Sequence, residues 1–341
     1  MSLTNSEKLY IEEKTAKWEH GRIRYWESLP ALNPDNPSSE RNVAESRQKP
    51  ALLFIHGYGA MLEHWRRTFA GLKGRYRLYA LDLLGMGLSE KPNGSQVKYS
   101  AKLWAQEVYD FLKYKDEKQV IIVGHSMGGM VALQVAMLHL EMVAGLVLVD
   151  SAGLPDQGQA EQEAASSNSR YRRQALFSNL TYGMIKTPVV GEMMAAVMTF
   201  PNEWTVRRYL QGAYYNKSKI TPQLVHQFME PLESPGAAGS YLAITRSFAD
   251  FQLPLQPGMI KGPVLIIWGE YDRMMPPDNM LPRWKHLLPQ AELYRVADSA
   301  HCPMDERPDL FNPRLIQFVE QVSAGTWKAE DETPNPKEAS A

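Results

Sequence analysis

One pentapeptide, Gly124-His125-Ser126-Met127-Gly128, carries the residue type and spacing best suited to covalent chemistry. It follows Val120-Ile121-Ile122-Val123, a run typical of a buried strand, and precedes a helix-forming run from Met130 to Leu138. A strand that turns directly into a helix crowds its backbone, and the two glycines remove the Cβ atoms that would clash. We therefore predict that Ser126 is an exposed nucleophile at a helix N-terminus, where developing negative charge is favoured.

A serine hydroxyl is a poor nucleophile at neutral pH, so Ser126 requires a general base and a group that orients this base. His301 and Asp272 each follow a predicted strand in the C-terminal third of the chain. Both would lie at the carboxyl edge of a parallel sheet, in the order serine, aspartate, histidine. We predict His301 as the base and Asp272 as its orienter. The choice of acid stays open, because Asp150 also ends a predicted strand and Glu270 lies two residues before Asp272.

Negative charge that develops during the reaction requires an oxyanion hole. The backbone N–H of Met127, directly after the serine, is the first predicted donor. The second is the N–H of Tyr58, in the loop after the apolar strand at residues 51–55. We expect His56 to support this loop and His125 to be a packing residue.

We assign no catalytic role to the remaining histidines, to Cys302 or to Asp305. The eight histidines and single cysteine form no cluster with metal-ligand spacing, so we predict neither a metal nor a cofactor. Nothing around Cys302 resembles a cysteine-enzyme signature, and we expect a small buried residue. Asp305 is expected to be a surface charge close to a helix.

The elements that position these residues alternate short apolar strands with helices. A turn at His20-Gly21 predicts an N-terminal β-hairpin, and the polar run from Asn33 to Lys49 predicts a loop. The alternation predicts an α/β protein with a mostly parallel sheet covered by helices on both faces. Further strands are predicted at residues 51–55, 76–81, 143–149, 263–268 and 291–296, and helices at 61–72, 100–114 and 309–322.

The alternation stops between Leu154 and Leu253, where the sequence is helical in character and interrupted by prolines. We predict a core of residues 1–153 and 254–325, a helical cap at 154–253 and a disordered polar tail at 326–341. Apolar cap residues either line a substrate pocket or dock the cap on the core, and the sequence favours neither. The residues predicted to bind substrate are Met184, Met194 and Met198.

Composition excludes several classes of function. The 341 residues carry a net charge of -1, which gives no reason to expect a nucleic acid as partner. The single cysteine excludes an intrachain disulfide. Neither a secretory signal nor a membrane span is visible, so we expect a cytoplasmic protein. The oligomeric state is left open.

Five motifs together resemble the α/β-hydrolase superfamily over residues 15–322: HGYG at 56–59, DLLGMGLS at 82–89, GHSMGG at 124–129, GEYD at 269–272 and SAH at 299–301. The resemblance implies an eight-stranded sheet, a helical cap after the sixth strand and a Ser–Asp–His triad. Epoxide hydrolases and haloalkane dehalogenases of this superfamily carry aspartate at the nucleophile position, which Ser126 argues against. DLLGMGLSEKP also looks like a branch frequent in plants and cyanobacteria that includes pigment dephytylases.

The sequence therefore predicts a serine hydrolase that cleaves a carboxylic ester of a small apolar substrate through an acyl-enzyme. The same triad also fits a carbon–carbon bond hydrolase or a perhydrolase. A different class remains open as well, in which the fold serves as a ligand-binding receptor.

Overall fold

The computed structural model describes residues 11–30, 39–154, 202–247 and 253–328. They build one sheet of eight strands in the order β1-β2-β4-β3-β5-β6-β7-β8. In chain order the strands are β1 Glu12–Trp18, β2 Gly21–Ser28, β3 Ala51–Ile55, β4 Leu78–Leu81, β5 Val120–His125, β6 Val143–Val149, β7 Val264–Gly269 and β8 Glu292–Val296.

The sheet is parallel from β4 to β8 and antiparallel only where the N-terminal hairpin joins it. β1 pairs with β2, and β2 pairs with β4, both antiparallel. All other neighbours are parallel. The mostly parallel, eight-stranded α/β sheet predicted from the sequence is confirmed.

Ten α-helices lie in the described parts of the chain. They are α1 Ser39–Gln48, α2 Arg66–Leu72, α3 Ala101–Tyr114, α4 Met127–Leu138, α5 Glu203–Ala213, α6 Pro222–Glu233, α7 Ala237–Arg246, α8 Pro277–Leu287, α9 Pro303–Glu306 and α10 Pro308–Ser323. The side chain of Ser100 caps α3 by accepting a hydrogen bond from the N–H of Leu103. Among these helices, none has the length and apolar character needed to cross a bilayer.

The central strands are buried on both faces, which explains why they form continuous apolar runs rather than alternating patterns. Successive side chains point to opposite faces, so neighbouring residues enter different cores. Leu53 and Ile122 pack with α3, α4 and α8 on one face. Leu52 and Ile121 pack with α2 and α10 on the other. The strand ends are thereby fixed from both sides.

The predicted loop between Asn33 and Lys49 is wrong, because α1 occupies Ser39–Gln48. This helix is polar around its circumference, so it lacks the apolar periodicity by which a helix is recognised in a sequence. The ion pair between Arg41 and Glu45, four residues apart, supports it. The helix predicted from Met61 begins as a 3₁₀ segment at Leu62–Trp65 and continues as α2.

The chain between β6 and β7 contains α5, α6 and α7, and all regular structure within residues 202–247 is helical. Met184, Met194 and Met198 lie outside the described residues. At the other end of the chain, the N–H groups of Thr326 and Trp327 donate to the carbonyl of Gln321. These first residues of the predicted tail therefore fold back onto the end of α10.

Candidate active site

Ser126 lies on a strained turn between β5 and α4. Its φ and ψ are 52° and -119°, a left-handed conformation that costs energy for a residue with a side chain. The turn needs its glycines, because a Cβ on Gly124 would lie 2.3 Å from the carbonyl oxygen of Gly128. A Cβ on Gly128 would lie 2.4 Å from the carbonyl oxygen of Ile55. The half-buried serine thus stands at the start of α4, where the first N–H groups have no intrahelical partner.

The loop after β3 packs directly behind Ser126. A Cβ on Gly57 would lie 3.0 Å from the Ser126 Cβ, tighter than most such contacts, so a side chain there would press on Ser126. His56 is fully buried, and burial lowers its pKa. Its Nδ1 donates to the carbonyl of Gly57, and its Nε2 accepts from the N–H of Leu83. This neutral imidazole joins the loop to the turn after β4, which is the supporting role expected of it.

Tyr58 connects the same loop to the helices between β6 and β7. Its hydroxyl lies 2.8 Å from that of Thr245, and the Thr245 hydroxyl donates to the carbonyl of Tyr241. The proton of the first bond therefore comes from Tyr58. The Tyr209 hydroxyl also approaches the carbonyl of Tyr58, at 3.4 Å. The loop that carries Tyr58, a predicted oxyanion donor, is thus held in place by α5 and α7.

His301 and Asp272 meet at the carboxyl ends of β8 and β7. Nδ1 of His301 lies 2.7 Å from Oδ2 of Asp272, and both side chains are buried. The other oxygen of Asp272 accepts the N–H groups of Met274 and Met275, at 2.8 and 3.0 Å. A carboxylate held by three donors keeps its orientation and directs the remaining ring nitrogen, Nε2, away from it.

Two residues that the sequence did not single out hold the loop of His301. A Cβ on Gly269 would lie 1.8 Å from the carbonyl oxygen of Ala300, so the two loops approach more closely than any side chain allows. The carboxylate of Glu306 accepts the N–H of Ala300 at 2.7 Å, and it also accepts the N–H groups of Tyr215 and Asn216. Gly269 was visible in the motif GEYD, whereas nothing local marks Glu306.

Asp150, the alternative acid, lies beside the pair without replacing Asp272. One of its oxygens accepts the N–H of Gly269 at 3.0 Å, and the side chain is fully buried. Burial, and next the charge of Asp272, raise the pKa of Asp150 well above its usual range. One oxygen of each carboxyl group and one ring nitrogen of His301 lie within 4.8 Å of one another.

These three side chains have the donor types of a metal site. However, Asp272 already accepts N–H donors on both oxygens, and one of them is the ring nitrogen of His301 that faces it. A cation between them would have to displace these hydrogen bonds at a position closed to solvent. The donor set therefore fits a hydrogen-bonded acid and base better than it fits a metal.

Two further histidines lie close to His301. Nε2 of His125 donates to the backbone carbonyl of His301 at 2.7 Å, so the residue before Ser126 fixes the main chain of His301. The ring of His64 contacts that of His125, with centroids 5.2 Å apart. Burial lowers the pKa of His64 to about 3 and that of His125 well below its usual range. Both rings are neutral packing elements.

Cys302 is buried, as expected, and burial raises the pKa of its thiol. Asp305 was predicted to be a surface charge, and this prediction is wrong. The side chain is 2% exposed and accepts from Arg66, Arg67 and the Tyr214 hydroxyl. Burial alone would raise the pKa of Asp305, but the charge of Arg66 and the hydrogen bonds from Arg66 and Tyr214 together outweigh it, and the pKa falls to about 2. The partners lie in distant parts of the sequence, so no local pattern indicates them.

An apolar pocket opens beside the Tyr58 loop. Its empty volume is about 450 Å³ when the adjoining space open to solvent is included. Its walls come from the loop and from α5, α6 and α7. They consist of Tyr58, Gly59, Thr205, Val206, Tyr209, Phe228, Leu232 and Tyr241.

Residues 50–308 match the family model for the alpha/beta hydrolase fold. The chain belongs to this family. The resemblance inferred from the five sequence motifs is thereby confirmed, and membership supports hydrolase activity.

Relatives within this alpha/beta hydrolase family span several chemistries. Epoxide hydrolase 4 from Mus musculus is 24% identical over 284 residues, which cover 82% of this chain and 75% of the relative. The chloroplastic pheophytinase of Arabidopsis thaliana is 22% identical over 328 residues, covering 85% of this chain and 65% of the relative. Among solved structures, the epoxide hydrolase CorEH superposes with a TM-score of 0.71 at 19% identity, covering 92% of this chain and 99% of that one. At this identity the structural similarity establishes the fold alone.

Proposed function

We propose that this chain is a serine hydrolase that cleaves a carboxylic ester of an apolar substrate through an acyl-enzyme. The observation that carries the proposal is the 2.7 Å contact between His301 Nδ1 and Asp272 Oδ2, behind a serine on a strained turn. This contact assigns the ring proton to Nδ1 and leaves Nε2 as the basic nitrogen. The three side chains then have the roles of nucleophile, base and orienter.

In the first half-reaction, Oγ of Ser126 attacks the ester carbonyl carbon while Nε2 of His301 takes the hydroxyl proton. The carbonyl oxygen becomes an oxyanion, which the N–H groups of Met127 and Tyr58 stabilise. When the carbonyl re-forms, the bond to the alcohol oxygen breaks and His301 returns the proton to the departing alcohol. The acyl group remains on Ser126. Asp272 stabilises the imidazolium that exists in between.

In the second half-reaction, water attacks the acyl carbon and His301 takes its proton. The acid product leaves as the proton returns to Ser126, which restores the resting state. A serine nucleophile also argues against epoxide opening. Attack by serine on an epoxide would form an ether, which water does not readily cleave, whereas attack on an ester forms another ester.

The proposed apolar substrate group is supported by the pocket beside Tyr58. Its walls are almost entirely aromatic and aliphatic, and burial of an acyl chain contributes about 0.8 kcal/mol per methylene. Helices α5 to α7 supply most of these walls, which is the reason we propose residues 154–253 as a cap. The cytoplasmic location and the substrate contacts of Met184, Met194 and Met198 stay predictions.

A fluorophosphonate probe tests the nucleophile, since it labels only activated serines. We expect labelling of the wild type, none of Ser126→Ala, and strongly slowed labelling of His301→Gln, which keeps the hydroxyl but lacks the base. Ser95→Ala removes an exposed serine from a loop and serves as the matched control. Unchanged labelling or ester hydrolysis in Ser126→Ala would overturn the proposal.

An ester series with increasing acyl length then tests the substrate class. We expect kcat/KM to rise with chain length until the pocket is full. Comparison of p-nitrophenyl esters with a ring-fission diketone, and with peroxide plus acetate, separates ester hydrolysis from the alternative reactions. Slow turnover combined with a ligand-dependent rise in Tm would instead indicate a receptor.

A further inference from the structure

We propose that Asp150 is a positioning residue that acts as a neutral carboxylic acid and donates a hydrogen bond to the Asp272 carboxylate. It would thereby hold the acid that orients His301. This inference rests on the proposed function only in the role it gives to Asp272. The contacts between the carboxyl groups of Asp150 and Asp272, on which the inference depends, exist whether or not the protein is an esterase.

The distribution of donors decides which of the two carboxyl groups carries the charge. Asp272 accepts the N–H groups of Met274 and Met275 and faces Nδ1 of His301. Asp150 accepts one N–H, that of Gly269, on Oδ1. Its Oδ2 is buried and has neither an N–H nor a hydroxyl partner. Hydrogen bonds to a charged carboxylate favour its ionised form, so Asp272 holds the negative charge and the proton stays on Asp150.

Two buried carboxylates at this separation do not ionise together. One carboxyl oxygen of Asp150, one of Asp272 and one ring nitrogen of His301 lie within 4.8 Å of one another. Asp150 is fully buried, so water does not screen the repulsion. Glu306 adds a further nearby acid, and burial with these charges raises the pKa of Asp150. Oδ2 of Asp150, which accepts no hydrogen bond, gains a partner if it carries the proton and donates a hydrogen bond to Asp272.

The backbone holds Asp150 in this position. Its N–H donates to the carbonyl of Ile267 on β7, and its φ is 42°, a conformation that is unfavourable for a residue with a side chain. Two residues later, the N–H of Ala152 donates to the carbonyl of Ser126. The turn after β6 therefore lies between the nucleophile and the acid, and contacts both.

A neutral donor is useful at this position because it fixes the plane of the Asp272 carboxyl group without adding a second negative charge. An ionised Asp150 would instead place a second negative charge beside the imidazole of His301, which favours the protonated ring over the free base that the proposed reaction needs. Besides Asp272 and His301, the titratable groups that interact with Asp150 are Glu306 and Cys302, and Tyr209 interacts with Asp272.

The decisive variant is Asp150→Asn, measured through the pH profile of ester kcat/KM. Asparagine keeps the volume, accepts the Gly269 N–H and donates to Asp272, so we expect kcat/KM within about threefold of wild type and an unmoved acidic limb. Removing an ionised Asp150 would instead shift the apparent pKa of that limb down by about two units at protein dielectric. Such a shift would overturn the proposal. Asp150→Leu removes the donor and should lower kcat by about tenfold or more.

Infrared difference spectroscopy gives a readout that does not depend on activity. The wild type minus Asp150→Asn difference at pH 7 should contain the C=O stretch of a protonated carboxylic acid, and a carboxylate band in its place would overturn the proposal. Glu107→Gln is the matched control, because burial also raises the pKa of Glu107. This residue lies on α3, and its carboxyl group accepts a hydrogen bond from the N–H of Leu84. It should lose its own band and keep the wild-type pH profile. If Ser126→Ala retains activity, the proposed function fails while this test stays valid.

Discussion

The close approach of Gly269 to the loop of His301 gives a prediction whose size follows from the geometry. Gly269→Ala places a Cβ 1.8 Å from the carbonyl oxygen of Ala300. Because Cβ atoms do not come closer than 3.0 Å to such an atom, the two loops must separate by at least 1.2 Å, the difference between these distances. Ala300 directly precedes the proposed base, and Gly269 lies three residues before its orienter.

A displacement of about 1 Å in a catalytic group costs on the order of 100-fold in rate. We therefore expect Gly269→Ala to lower kcat/KM for a p-nitrophenyl ester by about 100-fold, mostly through kcat. Overpacking at a buried position also destabilises a protein by about 1–3 kcal/mol, which leaves most of the chain folded at 25 °C. The loss of activity should thus exceed the loss of folded protein by a wide margin.

The assay combines steady-state kinetics, fluorophosphonate labelling rates and urea denaturation on the same preparations. Gly212→Ala is the matched control, since a Cβ at that exposed position of α5 meets nothing within 4 Å. It should keep full activity and gain about 0.5–1 kcal/mol in unfolding free energy from helix propensity. A folded Gly269→Ala protein with wild-type kcat/KM would refute the idea that this contact positions the base.

Three further changes test other parts of the structure. Asp305→Asn leaves the partly buried guanidinium of Arg66 without its anion and should cost about 3–5 kcal/mol of unfolding free energy in urea, with kcat unchanged. A loss below about 1 kcal/mol would contradict this. The pKa of His64 is lowered to about 3 by burial, so the unfolded state binds the extra proton as pH falls from about 6.5 to 3. Stability is full above this window and declines through it, and His64→Phe should flatten the decline by about 1.4 kcal/mol per pH unit in pH-dependent denaturation. Phe228→Ala enlarges the pocket and should move the preferred acyl chain in the ester series to greater length, whereas an unchanged preference would remove the pocket from substrate binding.

The strands and the turn at Ser126 could be predicted from the sequence because their signals are local. Buried parallel strands require continuous β-branched and apolar runs, and the turn at Ser126 requires glycines at fixed offsets. The mostly parallel sheet followed from these patterns. The helix at Ser39–Gln48 was not predicted, because it has no apolar stripe by which a helix is recognised in a sequence. Polar side chains stabilise it instead.

The choice between Asp272 and Asp150 shows what the sequence left undecided. Both residues follow parallel strands, so the order of elements in the sequence places both at the same edge of the sheet. Only the tertiary structure gives one carboxyl group three N–H donors and the other a single one. The distinction depends on loop backbones from different parts of the chain, which no local pattern encodes.

The sequence by itself determined the fold and predicted Ser126 as nucleophile and His301 as base, since the motifs behind these inferences are made of residues close together in the chain. The tertiary structure decided how the loop of His301 is held: by the missing side chain at Gly269, by the carboxylate of Glu306 and by the imidazole of His125. It also revealed that Asp305 is buried between arginines. These contacts join segments separated by up to 239 positions, and their energy depends on burial, which exists only once the chain is folded.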